Sequence, residues 1–242
     1  MEDVSTLKSV PCPICHGTGW EKVEDSEAVK RCRCTLDSKT ARLLERARIP
    51  KRYEHCDLRN YEGHNESQKK AKVIASKFVH EYPLVDVGLL FLGPCGVGKT
   101  HLSVAILKSL VMEKMVSCLF YDFRELIREI QNSYNPAAGT SEIKILSPVL
   151  ETDILVLDEL AASKPTAWVS DTVSYIINSR YNEKKITIFT SNFLDDPPKP
   201  GDERLVDRIG QRLRSRLYEM CKDVVITAED YRKHVRQAKY RF

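Results

Sequence analysis

A five-stranded parallel sheet with helices on both faces, an α/β fold, follows from three observations on this chain. Short, continuously apolar runs recur at 87–92 (VGLLFL), 116–121 (VSCLFY), 154–158 (ILVLD), 186–190 (ITIFT) and 223–227 (DVVIT). Amphipathic stretches of helical length lie at 67–80, 100–113, 122–133, 142–150, 167–183 and 203–219. A glycine-rich turn joins the first strand to the helix after it. Strands that are apolar on both faces need helices on both sides, and parallel strands need the helical crossovers that alternate with them here.

The 242 residues have room for one domain of ordinary size and an appendage. Hydrophobic residues make up 42% and charged residues 30%, the balance of a globular chain. No apolar run approaches the roughly 18–20 residues that span a bilayer. The start, MEDVSTLKSV, has no basic segment followed by an apolar one, so no signal peptide and no membrane association are expected, and the location expected is cytoplasmic. A net charge of +4 is compatible with nucleic acid without specifying it.

Residues 1–36 form a module too short to build a hydrophobic core of its own. It carries C-P-x-C-H-G-T-G-W and then R-C-R-C, which bring Cys12, Cys15, Cys32 and Cys34 within 23 residues. Four thiolates suit tetrahedral Zn²⁺, whose binding would supply the folding free energy. The C-x-C half departs from the usual C-x₂-C, and His16 is a possible substitute ligand, although its adjacency to Cys15 makes joint binding awkward. Cys56, Cys95, Cys118 and Cys221 are scattered. Residues 37–64 read as a basic linker, with a short helix over 37–52 that stops before Pro50. The sheet domain occupies 65–242.

The turn is Gly93-Pro94-Cys95-Gly96-Val97-Gly98-Lys99-Thr100, followed by His101 at the helix start. It fits G-x-x-x-x-G-K-[ST] in the strand–loop–helix setting that gives the pattern meaning. Its amides and the helix N-terminus cradle phosphates. Lys99 neutralises the β- and γ-phosphates of ATP, and Thr100 holds Mg²⁺. About 60 residues later, the strand Ile154–Leu157 ends in Asp158-Glu159 at the edge where open α/β sheets bind ligands. Asp158 is expected to orient Mg²⁺ and Glu159 to accept a proton from the attacking water. Asn192, after Thr190-Ser191 at the end of the next strand, is placed to hold that water. Arg212, Arg214 and Arg216 follow at i, i+2 and i+4. Arg212 and Arg216 share a helix face, from which a guanidinium can reach a neighbour's γ-phosphate.

As a set, GPCGVGKT, ILVLDE, TSN and GQRLRSRL, with IPKRY upstream, resemble the DnaC/DnaI-type replicative helicase loaders, AAA+ ATPases with the transposase helper IstB as a close relative. The resemblance covers roughly residues 45–242. It implies Arg216 as an arginine finger acting in trans, with Arg212 in support, and Arg232 as a sensor 2-like contact to nucleotide. It implies a homo-oligomer when ATP is bound, and no C-terminal helical lid, since only about 15 residues follow the last strand. The segment Phe123–Tyr134 and the loop Asn135–Ser141 correspond to an insertion that binds single-stranded DNA, with Arg124, Arg128, Tyr134 and Lys144 as contacts. The zinc module, with Trp20 at its surface, would dock on a DnaB-type replicative helicase. The function so implied is ATP-dependent loading of that helicase during DNA replication. The alternatives are an IstB-like transposition helper and an ATP-gated adaptor whose hydrolysis is incidental.

Overall fold

The computed structural model describes residues 12–23, 26–135, 139–162, 166–199 and 201–234. After the turn carrying Cys12 and Cys15, β1 (Trp20–Lys22) and β2 (Val29–Arg31) form an antiparallel hairpin in which Trp20 faces Arg31. The guanidinium of Arg31 lies 5.5 Å from the Trp20 ring centre. The basic helix expected over 37–52 begins earlier, as α1 (Arg33–Arg46), because the extended backbone of Cys32 caps it and draws Cys34 into its first turn. A separate 3₁₀ turn covers Lys51–Tyr53.

The remaining elements are α2 (Glu66–Glu81), β3 (Gly88–Leu92), α3 (Lys99–Lys114), β4 (Cys118–Asp122), α4 (Phe123–Ser133), α5 (Glu142–Glu151), β5 (Ile154–Asp158), α6 (Ala167–Asn182), β6 (Ile186–Ser191), α7 (Leu205–Ile209), α8 (Gln211–Met220), β7 (Cys221–Val225) and α9 (Tyr231–His234). Side-chain oxygens start several helices. Asn65 accepts from the Gln68 amide at 2.9 Å, and Asp122 accepts from the Arg124 amide at 2.8 Å. The helix expected over 203–219 is broken at Gly210, whose φ of 82° and ψ of 153° belong to glycine alone, and this separates α7 from α8.

The five-stranded sheet runs β4-β5-β6-β3-β7, with every pair parallel. Strand alternation divides its side chains between two cores. Leu89, Phe91, Cys118, Phe120, Ile154, Val156 and Ile188 face α2 and α3. Leu90, Leu92, Leu119, Tyr121, Leu155, Leu157 and Phe189 face α4, α5, α6 and α8. Each Leu, Ile, Val or Phe among them contributes about 1.5–3 kcal/mol on burial. The helix α3 is buried nearly all round, which explains its apolar run. The end of α1 blunts the edge strand β4, where the Phe120 amide donates to the Ala47 carbonyl at 2.8 Å. Beside that contact Arg48 lies over the Tyr121 ring at 4.2 Å and pairs with Glu129 on α4. Among the described residues no helix is long and apolar enough to cross a membrane.

Candidate functional site

The strand order puts β3 between β6 and β7, with β5 one place further, so three chemically loaded strand ends converge at one sheet edge. The loop Gly93–Gly98 leaves β3 and enters α3. Gly98 has φ 100°, and a Cβ there would come 2.6 Å from the Tyr61 ring, so the tight approach needs glycine. Gly96 is equally constrained, because a Cβ would fall 1.7 Å from an Asp230 carboxylate oxygen.

Lys99 is buried and donates from Nζ to Gly93 O, Pro94 O and Asn192 Oδ1, each at 2.7 Å. Burial pushes its ammonium down to about 8, against the opposing pull of Cys95, Asp158 and Glu159. The Thr100 hydroxyl lies 3.0 and 3.1 Å from the Asp158 carboxylate oxygens. These are hard oxygen donors of the kind Mg²⁺ takes. Burial raises Asp158 to about 6, although the hydroxyls of Thr190 and Thr100 act to lower it. Thr190 donates to Asp158 Oδ1 at 2.6 Å and accepts from the Glu159 amide at 2.9 Å. Glu159 itself has φ 57°, a left-handed conformation that costs a non-glycine residue roughly 1–2 kcal/mol.

A cleft of about 380 Å³ opens from this edge. The phosphate loop from Cys95, Lys99, Thr100, His101, Glu159, Asn192 and Arg232 line one part of it. The rest is walled by Arg52, Tyr53, His55, Asn60, Tyr61, Glu62 and Tyr231. His101 donates from Nε2 to the Asp57 carbonyl at 3.0 Å, sits edge-on to Tyr61, and is held below the usual imidazole range by burial. Tyr231 stacks on His64 with ring centres 5.8 Å apart.

Apart from Tyr231, this wall comes from a segment read in the sequence as linker, and it is the main part that sequence reasoning missed. Its attachment to the core runs through backbone carbonyls. Lys108 reaches Cys56 O at 2.9 Å and Lys72 reaches Tyr61 O at 2.7 Å. Thr190, read in the sequence as part of the polar tip Thr190-Ser191-Asn192, has no role of its own there; a hydroxyl at the end of an apolar strand beside an acidic one is the signal that points to it.

The three arginines of α8 separate. Arg214 is 1% exposed and bonds Asp195 at 2.6 Å and also Asp223. Arg212 is exposed, and Arg216 is half-buried with its guanidinium 5.9 Å from the Tyr181 ring. Neither is among the residues lining the cleft of its own chain. On α4 and beyond, Arg124, Arg128, Tyr134 and Lys144 are exposed, with Tyr134 edge-on to Trp168 at 6.1 Å. Part of the loop Asn135–Ser141, residues 136–138, lies outside the described residues.

The sulfurs of Cys12, Cys15, Cys32 and Cys34 all lie within 4.8 Å of one another, and His16 is not in this group. Cys12 and Cys32 are 3.8 Å apart and Cys15 and Cys34 3.5 Å. A Zn²⁺ bound at ~2.3 Å by four thiolates sets sulfurs ~3.8 Å apart, so the cluster fits that ion. Backbone amides prepare two of the ligands. Those of Cys15 and Ile14 lower Cys12, and those of Gly19 and Gly17 bring Cys15 down to about 7. The thiols of Cys15 and Cys32 push Cys34 up to about 12, a conflict that a divalent cation would relieve.

A phosphate loop after β3, an acidic pair at the end of β5 and a polar tip on β6 define an AAA+-type P-loop protein. The model of the IstB-like ATP binding protein family matches residues 23–239, and the chain belongs to that family. The crystal structure of a DnaC helicase loader is 36% identical with a TM-score of 0.65, covering 73% of this chain and 99% of that one. DnaI is 28% identical with a TM-score of 0.60, covering 76% of this chain and 94% of its own. The replicative helicase loader DnaC of Escherichia coli (strain K12) is 26% identical over 203 residues, 84% of this chain and 79% of its own.

Proposed function

We propose that this protein is an ATPase that loads the replicative DNA helicase onto single-stranded DNA. The observation that carries the reading is the convergence of Lys99, Thr100 and Asn192 on one cleft, with Asp158 bonded to Thr100 behind it, in a chain 36% identical to a DnaC helicase loader. Lys99 and the backbone N–H groups of residues 95–100, with His101 beside the cleft, hold ATP by its phosphates, and Arg232 reaches them from α9. Thr100 and Asp158 would hold Mg²⁺, which neutralises charge on the phosphates. Asn192 orients the attacking water, and Glu159 takes its proton as the water oxygen bonds to the γ-phosphorus and the bond from that phosphorus to the bridging oxygen breaks, leaving ADP and phosphate. Arg216 acts on the cleft of a neighbouring subunit, where a guanidinium stabilises the charge that develops.

Oligomerisation on ATP would line up α4 around single-stranded DNA, with Arg124, Arg128, Tyr134 and Lys144 supplying charge and an aromatic platform. Cys12, Cys15, Cys32 and Cys34 would hold Zn²⁺ and shape the surface bearing Trp20 that grips the helicase. Hydrolysis then releases the helicase.

The test is loading of the cognate replicative helicase on single-stranded DNA, followed by co-elution and by unwinding. Wild type with ATP is expected to load, and Lys99→Ala to fail. Normal loading by Lys99→Ala would overturn the ATP-dependent reading. A second reading, a helper that acts with a transposase, rests on the resemblance to IstB, whose family model matches residues 23–239. Co-elution with transposase and not with helicase would select it.

A further inference from the structure

We propose that Arg208 is a positioning residue for hydrolysis, holding the Glu159 loop from the arm that carries Arg212 and Arg216. The inference rests on the ATPase reading above. The loop leaving β5 places Glu159 at φ 57° and Ala161 at φ 70°. Residues other than glycine keep such conformations only when their surroundings impose them. Here successive backbone groups of the loop are held one after another. The Leu160 amide donates to Thr190 O at 2.7 Å, and Ser191 Oγ donates to Leu160 O at 3.0 Å. The next carbonyl, Ala161 O, is taken by Arg208, from Nε at 3.2 Å and Nη2 at 3.0 Å.

Arg208 lies on α7, two residues before the Gly210 break from which α8 departs. Its guanidinium covers the ring of Phe193, the residue directly after Asn192, at 4.7 Å. Its remaining edge pairs with Glu203 at 3.2 Å, and its side chain is only 11% exposed. One planar cation therefore touches the Glu159 loop, the tip of β6 and the root of the arginine helix. A guanidinium suits this place because two N–H groups on one edge share a carbonyl while the flat face stacks on an aromatic ring. A lysine offers neither geometry. Pinning Ala161 O fixes where the loop turns, and with it the direction in which the Glu159 carboxylate leaves the strand. A shift of α7 and α8, such as a neighbouring subunit engaging Arg216 would cause, is passed through Arg208 to Glu159.

The test places Arg208→Ala and Arg208→Lys in the wild-type and Glu159→Gln backgrounds of the full chain. Arg208→Ala is expected to lower kcat by about tenfold or more, as misplacement of a reacting group does. The Kd for ATP should stay within about twofold, since uniform binding is untouched. The loss should vanish in the Glu159→Gln background, where there is no carboxylate left to position. Arg208→Lys should recover only part of the rate.

Amide hydrogen exchange should rise at Leu160 and Ala162 and stay unchanged across residues 93–99. An equal fall in ATP binding, a loss that persists with Glu159→Gln, or unchanged exchange at the loop would overturn the assignment. Should Arg208→Ala not fold, Phe193→Leu removes the stacking face and should shift rate and exchange in the same direction. If Glu159→Gln alone hydrolyses ATP like wild type, the role given to Glu159 fails, and the exchange measurement still decides whether Arg208 holds the loop.

Discussion

Lys99 and Asn192 are bonded to each other, Nζ to Oδ1 at 2.7 Å, across 93 residues of sequence. The bond ties the phosphate loop to the tip of β6 and aims both side chains into one cleft. Asn192→Ala removes both a polar group that acts on the attacking water and one of the three acceptors of Lys99, while the two backbone acceptors, Gly93 O and Pro94 O, still hold the ammonium in the phosphate cradle. The expected result is a kcat lower by about a hundredfold, the scale for losing one oriented polar group, with KM for ATP little changed. Steady-state hydrolysis checks it, and a rise in KM with kcat intact would assign Asn192 to binding.

Burial gives Lys99 two pH dependences of opposite sign. Its ammonium is brought down to about 8, below the ordinary ~10.4 of an unfolded chain. Between those values the unfolded state binds more protons, so this group's contribution to stability grows as pH rises from about 8 and is lost as pH falls through it. Phosphate binding needs the cation, so ATP affinity falls as pH rises through the same value. Urea midpoints and ATP titrations from pH 7 to 10 are expected to move in opposite directions. Lys99→Met should flatten the stability trend, and an ATP affinity independent of pH across that range would exclude Lys99 as the titrating group.

The cysteine cluster predicts one zinc ion per chain. Cys15→Ser and Cys32→Ser should each lose it, because either leaves three thiolates for a four-coordinate site. Metal content by mass spectrometry of the purified chain checks the stoichiometry. Chelation should make residues 12–34 sensitive to protease and leave the thermal transition of the sheet domain in place, since that region's core holds none of the four sulfurs. Metal-free protein in which 12–34 stays protected would mean that the hairpin needs no ion.

The legible parts of this fold are those written in side chains. Apolar runs gave all five strands of the large sheet, and the glycines, Lys99, Thr100, Asp158 and Asn192 stand where their motifs put them at the strand ends. The hairpin β1–β2 was not legible, because its strands are three residues long and largely exposed, with no alternation to read. The wall formed by residues 52–62 was hidden for a different reason: its anchors are the carbonyls of Glu54, Cys56, Asp57 and Tyr61, which any residue carries. In the run Arg212, Arg214, Arg216 the sequence sets the first and last on one helix face and leaves the partners of the middle one unread. Spacing of two along a helix turns the middle residue away from its neighbours, and in this case toward Asp195 and Asp223.

That separation sharpens the last prediction, on where Arg216 acts. It shares a face with Arg212, lies half-buried beside Tyr181 and does not line the cleft of its own chain. A finger that works in trans can be separated from the cleft it serves by mixing variants. Lys99→Ala keeps Arg216 and has no working cleft, whereas Arg216→Ala keeps the cleft and has no finger. Each alone should hydrolyse ATP slower than wild type by about a thousandfold, the lower end of what such an arginine contributes. Mixed together with DNA and helicase, they should regain a measurable fraction of the wild-type rate, because some interfaces pair the intact cleft with the intact arginine. The recovery should rise and then fall as the ratio is varied, with its maximum near equal amounts. Two inactive variants that stay inactive at every ratio would place the contribution of Arg216 within its own subunit.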